Sequence, residues 1–446
     1  MTETILLFLL LFFIFLGVTQ SKFIIPVTLI SFLWISPGIR IFGITWLNIL
    51  LFSFILSSIF KRAFLSKSIG INKYVFQLIL YVMFITIPFM FLSSGLPIAV
   101  QLRGVKSLFL YLILFTLWNT HIEFKNIHKI NSFIIIAILT LCIYGIFSYI
   151  TSSNIYLDLT SSLYGDYTYD VAGAAEGALE EQRGVLKGRI TGTTPHTIQY
   201  SILMGITCFY LVGIRKYYNR SLVVFLIVMC FINAVLTGSR GPLLGIIVGL
   251  SIFAMKSFSF RIKFCIITGG LLLYLSSNVL TSLFSHEGGS SLEMRMIQIY
   301  GCWLEINKSL QSILFGLGHG YNVFYLTNYG VHPMSLGFEG RFLAGLVNYG
   351  IIGSFFIIIG TWIMEFRLVR KAFRLNLLTK DDKYCLYGII VFEIIYSSID
   401  GTAYTLFFLV VFLLNIRYAI LRTSNAKILK LDDGRCKHSD CLYEQS

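Results

Sequence analysis

Long apolar runs separated by short polar segments recur along the whole 446-residue chain. Most are long enough to cross the hydrocarbon core of a bilayer, about 30 Å thick, as an α-helix. They lack the ten-residue alternation of barrel strands, and an open sheet would leave backbone groups unpaired in lipid. The pattern predicts twelve or thirteen helical segments, at approximately 3 to 19, 23 to 37, 41 to 60, 74 to 93, 100 to 118, 131 to 151, 196 to 213, 221 to 238, 241 to 256, 262 to 280, 342 to 364, 385 to 398 and 402 to 420.

The predicted fold is an all-α polytopic membrane bundle that forms one transmembrane domain from residue 1 to residue 446. Hydrophobic residues make up 56% of the chain and charged residues only 13%, which leaves no soluble domain of ordinary size. The first run, ILLFLLLFFIFLGV, has no basic region before it and no small-residue cleavage site, so we expect a retained helix. The segment 23 to 37, with Pro26 and Pro37, is expected to be short or re-entrant.

Lysine and arginine outnumber the acidic residues by 35 to 21, and their distribution predicts the topology. When the helices alternate, the basic loops fall on one side, which the positive-inside rule assigns to the cytoplasm together with the tail at 421 to 446. The net charge of +14 then reflects topology and anionic headgroups, and no nucleic-acid motif is present. These basic clusters lie at 61 to 73, 215 to 220, 256 to 263 and 367 to 383.

The opposite, outer side receives two long loops, 152 to 195 and 281 to 341. The first is acidic, and the second contains SLEMRMIQIYGCWLEINKSLQSIL, whose apolar spacing predicts an amphipathic helix along the surface or packed on the bundle. Long loops on one face usually carry function, so we expect the functional site there.

The eight cysteines do not predict a disulfide framework, since most lie within or beside apolar runs and Cys302 stands alone in the second loop. Cys436, His438 and Cys441 in the tail match no zinc pattern. No cluster of His, Asp or Glu is visible on the outer side, so no metal or other cofactor is expected.

Arginines precede three outer helix starts. In LTGSRGPLLG, Arg240 stands between a potential capping residue, Ser239, and a first-turn proline. In GRITGTTPHTIQY, Arg189 precedes a similar start that Thr194 can cap, and in FEGRFLAG Arg341 opens the helix after the second loop. Free N–H groups and the positive dipole end favour phosphate at such a helix start.

Three such arginines could converge on one multiply charged anion. Arg103 and Lys106, near the outer end of the segment that starts at about residue 100, could join them, and Arg295 in the second loop is a further candidate. For any single arginine, a side chain that extends to the lipid headgroups and anchors the helix end explains the position equally well.

The outer loops also offer candidate proton acceptors. His332 has an unperturbed pKa near neutrality, although a lone loop histidine is more often simply solvated. His319 lies in FGLGHGYNVF, where the glycines predict a backbone turn that closes the surface helix. Glu339 and His196 are weaker candidates.

Four stretches together resemble the bacterial O-antigen ligase and O-antigen polymerase superfamily of membrane glycosyltransferases. The resemblance spans residues 189 to 353, and the order and spacing of the motifs match better than any single motif does. The stretches are RITGTTPHTIQY, LTGSRGPLLG, RMIQIYGCWLEINKSLQSILFGLGHGYNVF and LVNYGIIG.

The resemblance implies an enzyme of the bacterial inner membrane, active on the periplasmic face and without a metal. It would transfer a glycan from undecaprenyl diphosphate to a sugar hydroxyl, with inversion, and a chain-length regulator is a possible partner. Arg189 and Arg240 would bind the diphosphate, and His332 would activate the acceptor. In the family pattern a His-Asn pair precedes the Gly-x-x-Gly, and Glu339 occupies about that place here, so the base is His332, Glu339 or neither.

Three functions remain open at this stage. The divergent histidine region and the acidic first loop favour an O-antigen polymerase, which joins carrier-linked repeat units. A ligase, which transfers glycan to lipid A core, would share the same motifs. A flippase or transporter of lipid-linked oligosaccharide would also have about a dozen helices, but it would usually show internal repeats, broken helices and paired charges near mid-membrane.

Overall fold

The structure, a computed structural model, describes residues 23–41, 44–50, 73–93, 95–104, 124–164, 171–180, 188–254, 291–330, 340–397 and 404–439, with a few isolated positions besides. It is 82% helical, which confirms the all-α class of the prediction. Within the described residues, four helical stretches are long and apolar enough to cross a membrane, by length and composition alone: Lys125–Thr151, Thr197–Ile214, Arg341–Arg374, which contains non-helical backbone at Gly350, and Thr405–Ala426. The predicted segments 3 to 19, 100 to 118 and 262 to 280 lie mainly outside this part of the chain.

The described elements are sixteen helices, a 3₁₀ turn at Ser161–Leu163, a π-helical turn at Phe355–Ile359 and a two-stranded antiparallel sheet of Arg40–Ile41 and Ile44–Thr45. In chain order the helices are α1 Ile24–Trp34, α2 Lys73–Leu92, α3 Ile98–Gly104, α4 Phe124–Thr151, α5 Ile155–Thr160, α6 Val171–Glu180, α7 Thr197–Ile214, α8 Arg220–Leu236, α9 Arg240–Ala254, α10 Ser291–Ile306, α11 Leu310–Phe315, α12 Tyr321–Tyr329, α13 Arg341–Ser354, α14 Gly360–Arg374, α15 Lys380–Ser397 and α16 Thr405–Ser439.

Helix α7 lies at the centre of the bundle, with 83% of its residues buried. It contacts α8, α9, α15 and α16, so its side chains meet protein on nearly every face. A helix that is apolar all round is expected at such a place, because no face has to meet water. The end of this helix that carries Thr197 therefore has a fixed position within the bundle.

Helices α9 and α15 pack most extensively against each other. Gly249 and Gly388 allow this contact, because a Cβ atom built on either glycine would lie within 2.6 Å of the carbonyl oxygen of the other. Small residues let helix backbones approach closely in a membrane. Nearer the start of α9, Gly245 would meet the ring of Phe392 at 2.9 Å in the same way. Neither helix can shift without moving the other.

One end of the bundle, called the basic end below, is joined by ion pairs. Lys256 Nζ lies 2.8 Å from Asp381 Oδ1, and Arg215 Nη2 lies 3.6 Å from Asp381 Oδ2. Arg422 of α16 pairs with Asp382. Basic residues from two predicted loops and Arg422, near the middle of α16, therefore lie on the same side of the bundle, as the alternation predicted. That this side is the cytoplasm stays a prediction.

Several predicted boundaries differ from the structure. Helix α1 has only 11 residues and a length of about 16 Å, so this segment is short, as expected. Helix α14 continues to Arg374 and includes basic residues that were predicted to form a loop. Helix α16 continues to Ser439, so the predicted tail at 421 to 446 begins inside a helix. Cys302 is not in a loop but buried in α10, whose helical structure was predicted.

Candidate functional site

Arg189 lies in a segment without regular secondary structure, 188–196, directly before α7 and at the end of the bundle opposite the basic end. Its backbone N–H donates to Ala178 O at 2.8 Å, and the next N–H, of Ile190, donates to Leu236 O at 3.1 Å. The segment is therefore tied to α6 on one side and to the end of α8 on the other. The side chain of Arg189 is only 7% exposed.

The guanidinium group of Arg189 joins two helix ends. Its Nε donates to Thr237 O at 2.8 Å, just beyond α8, and its Nη2 donates to Thr197 Oγ1 at 2.5 Å, at the first residue of α7. Gly238 has a φ of +62°, and a Cβ atom there would lie 3.2 Å from Arg189 Nε. The turn that leads into α9 therefore wraps around this guanidinium.

Arg240, the first residue of α9, is half-buried and stands three residues beyond Thr237. The motifs of Arg189 and Arg240, 51 positions apart in the chain, thus meet at the same turn. Ser239 was predicted to cap α9, but its buried hydroxyl has no hydrogen-bond partner among the described residues. The common diphosphate ligand of the two arginines stays a prediction.

A network of hydrogen bonds centred on Asn154 holds the segment of Arg189 in place. Asn154 Nδ2 donates to Thr191 Oγ1 at 2.8 Å and to Gly192 O at 2.9 Å. Its Oδ1 accepts from the Tyr144 hydroxyl at 2.7 Å and from Leu157 N at 3.1 Å, which caps α5. Asn154 was not predicted from the sequence as a site residue, although an Asn before a short helix is a typical cap.

The start of α7 also differs from its prediction. The predicted cap was Thr194, but its hydroxyl donates to Thr191 O and His196 O, both at 2.9 Å. Thr197 is the first helical residue, and His196 occupies the capping position without a side-chain hydrogen bond to the helix. His196 is exposed, so it lies at the surface next to the Arg189 segment.

Helix α13 is broken, which changes the position of Arg341. Gly350 has φ of 66° and ψ of −168°, so 341 to 349 form a half-helix that ends at this kink. The half-helix folds back on the chain that follows: a Cβ atom on Gly345 would lie 2.5 Å from Ile358, and the Phe342 and Trp362 rings are 6.2 Å apart. The prediction of one continuous helix over 342 to 364 is therefore wrong.

Arg341 begins this half-helix and is largely buried next to α14 and α15. Its Nη1 lies 2.6 Å from Glu393 Oε1, and the two side chains are 12% and 1% exposed. Glu365 adjoins Glu393 and is also buried. Neither glutamate was predicted from the sequence as a site residue, and Glu393 falls inside an apolar run. The proposed role of Arg341 in diphosphate binding stays a prediction, and its observed partner is a carboxylate.

His319 lies in a glycine-rich turn, as predicted, rather than in an open site. Its backbone N–H donates to Gln101 Oε1 at 2.9 Å, and its ring Nδ1 is hydrogen-bonded to the Tyr349 hydroxyl. The neighbouring Gly318 and Gly320 both have positive φ values. The turn also holds the broken helix, because N–H groups of 317 and 318 donate to carbonyl oxygens of 347 and 348.

Five further candidate residues were predicted from the sequence. Arg103 lies in α3 and Arg295 in α10. Lys106, His332 and Glu339 lie outside the described residues. Among the residues that are described, no group of three or more His, Cys, Asp or Glu side chains could hold a metal ion. In comparisons with known proteins, no family model and no curated protein matches this chain.

Proposed function

We propose that this protein is a membrane glycosyltransferase that polymerises surface-polysaccharide repeat units. It would transfer a glycan from undecaprenyl diphosphate to a sugar hydroxyl of another carrier-linked repeat unit on the periplasmic face. The observation that carries the proposal is the contact between the Arg189 guanidinium and Thr237, which joins the segment of Arg189 to the turn before Arg240. The motif resemblance supplies the reaction class.

The chemistry expected at such a site is electrostatic. The acceptor oxygen attacks the anomeric carbon, the bond from this carbon to the diphosphate oxygen breaks, and the diphosphate leaves with the electron pair. Fixed cations in a partly dry site stabilise the charge that develops on this leaving group. The start of α9 adds N–H groups and the positive end of its dipole. The buried Ser239 hydroxyl, without a partner among the described residues, is a further donor at the same helix start.

The acceptor hydroxyl must lose its proton as the new bond forms. His332 or Glu339 is the proposed base, and the resemblance favours neither decisively. A polymerase and a ligase would use the arginines in the same way, because both cleave the same bond to diphosphate. The two activities differ in the acceptor, which is a second carrier-linked unit for the polymerase and lipid A core for the ligase.

The first experiment is the lipopolysaccharide ladder of cells that carry substituted protein. We expect R189A and R240A to lose long glycan chains while the protein remains in the membrane at normal level. R220A is the matched control, because Arg220 is exposed and begins α8 at the basic end. Unchanged long chains in R189A and R240A would refute the diphosphate site.

A gene deletion separates the alternatives. Loss of a polymerase should leave lipid A core with a single repeat unit. Loss of a ligase should leave core without any repeat and should accumulate carrier-linked polymer. The same gel, combined with extraction of carrier-linked glycan, distinguishes the two results.

A flippase for lipid-linked oligosaccharide is the second candidate, and one observation favours it. A broken helix beside a buried charge pair is typical of transporters, and α13 with Arg341 and Glu393 has this arrangement. For a flippase, deletion should remove carrier-linked glycan from the outer face altogether. Carrier-linked glycan that still reaches the outer face would exclude this alternative.

A further inference from the structure

A pocket of about 550 Å³ opens between α2, α14 and α16. This volume is within the range of about 300 to 1,000 Å³ that is usual for small-molecule sites. The walls are mainly apolar and include Phe84 of α2, Leu368 of α14 and Phe412 of α16. No residue of the segment of Arg189 lines the pocket, and the proposed function does not use it.

The polar lining of the pocket is concentrated toward the basic end. Arg367 and Lys371 lie within the last two turns of α14, and Gln77 lies near the start of the antiparallel α2. Both cations are exposed. Farther from the basic end the lining becomes apolar, with Phe84 and Met364. A ligand that matches this gradient has an anionic group at one end and a hydrocarbon body at the other.

The one carboxyl group in the pocket fixes the direction of the ligand. Glu365 lies about one turn before Leu368 and nearly two turns before Lys371 along α14, away from the basic end, and is 3% exposed. Its Oε2 has no hydrogen-bond partner among the described residues. A phosphate placed beside this carboxyl would have no lining cation next to it, whereas a phosphate beside Arg367 and Lys371 is attracted. A hydrocarbon chain over Glu365 would also separate it from water.

We propose that this pocket binds one phospholipid with an anionic headgroup, taken from the leaflet at the basic end. Its phosphate lies on Arg367 and Lys371, and one acyl chain lies along Phe84, Leu368 and Phe412. Basic residues between membrane helices on the cytoplasmic side are known to favour anionic headgroups. The apolar walls explain why the ligand is a lipid rather than free phosphate.

The test uses purified protein in nanodiscs of phosphatidylcholine that contain increasing amounts of phosphatidylglycerol. Native mass spectrometry counts the phosphatidylglycerol molecules that stay bound after gentle release. We expect one retained molecule per protein, and R367Q/K371Q should weaken its retention by roughly fivefold per cation removed, about 25-fold for the pair. The variant L368W fills the apolar part and should displace the lipid while both cations remain.

The matched control is R370Q/R374Q, which removes the same charge from exposed residues of the same helix that do not line the pocket. It should retain the lipid at the wild-type level. Equal loss in both double variants would show that general surface charge holds the lipid and would overturn the proposal. Equal retention of phosphatidylcholine, or no retained lipid in the wild type, would overturn it as well, and gel filtration of each variant confirms folding.

Discussion

Substitution of the buried ion pair of Arg341 and Glu393 tests directly whether the half-helix 341–349 packs against α14 and α15. The two side chains are 12% and 1% exposed, and their charged atoms are 2.6 Å apart. Removal of one partner from such a pair costs about 3–5 kcal/mol, because the other charge stays buried without compensation. The two possible single substitutions should not be equal here, since Glu365 adjoins the pair.

Arg341→Met leaves two buried carboxyl groups without their cation, so we expect the full loss of about 3–5 kcal/mol. Glu393→Gln leaves Arg341 with Glu365 as a neighbouring carboxyl group that can ionise beside it, so the loss should be smaller. The double variant R341M/E393Q should be more stable than R341M, because the buried Glu393 carboxylate that lost its cation is then absent as well. This ranking follows from the position of Glu365 and does not depend on the proposed function.

The assay is thermal unfolding of the purified protein in mild detergent, at one fixed heating rate because such unfolding is often irreversible. R341M should lower the midpoint temperature by about 3–5 °C, because a chain of 446 residues has an unfolding entropy of about 0.9 kcal/mol per kelvin. K308M is the matched control: Lys308 pairs with Glu305 at a similar 2.8 Å, but its side chain is 58% exposed. An exposed pair contributes about 0–1 kcal/mol. If R341M loses no more stability than K308M, or the double variant is no more stable than R341M, the reasoning is wrong.

Two further predictions concern the two ends of the bundle. Gly238→Ala should destabilise the protein by about 1–2 kcal/mol, because φ is +62° there and the added Cβ would lie 3.2 Å from Arg189 Nε. Chemical unfolding measures this loss. Gly177→Ala is the control, because an added Cβ at Gly177 meets open space. Burial opposes the ionisation of Asp382, but Thr379 and Arg422 outweigh it and lower its pKa. The stabilising effect of the Asp382 carboxylate should therefore be present at neutral pH and be lost below about pH 4. D382N should flatten the fall in stability over this acidic range. An unchanged stability–pH profile in D382N would contradict the role given to Asp382.

Much of the helical framework follows from the sequence, because lipid leaves few alternatives for an apolar run. The runs at 196 to 213 and 221 to 238 correspond closely to α7 and α8, which begin at Thr197 and Arg220. The basic residues at the basic end were also predictable, since alternation of the helices sets their side. Their acidic partners were not predictable, because Asp381 lies in a stretch of many charged residues and nothing in the sequence pairs it with Arg215 or Lys256.

The interior of the bundle was much less predictable. The hydropathy does not fall within LVNYGIIG, so a hydropathy profile does not reveal the break at Gly350. The break is possible because glycine tolerates the positive φ that Gly350 adopts. Glu393 lies in an apolar run where one acidic residue hardly changes the average. Its partner Arg341 stands 52 positions earlier, and only the fold-back of the half-helix brings the two together.

This interior pair has a mechanical connection to the proposed diphosphate site. Glu393 follows Phe392, whose ring packs against Gly245 of α9, and α9 begins with Arg240. A shift of α15 at the charge pair would therefore be transmitted to the helix start that carries Arg240. A glycosyltransferase needs this start to stay fixed around the leaving diphosphate, whereas a flippase needs the pair to open. Glu393→Gln in a protein that still folds should then weaken polymer formation only modestly in the first case, and abolish lipid transport in the second.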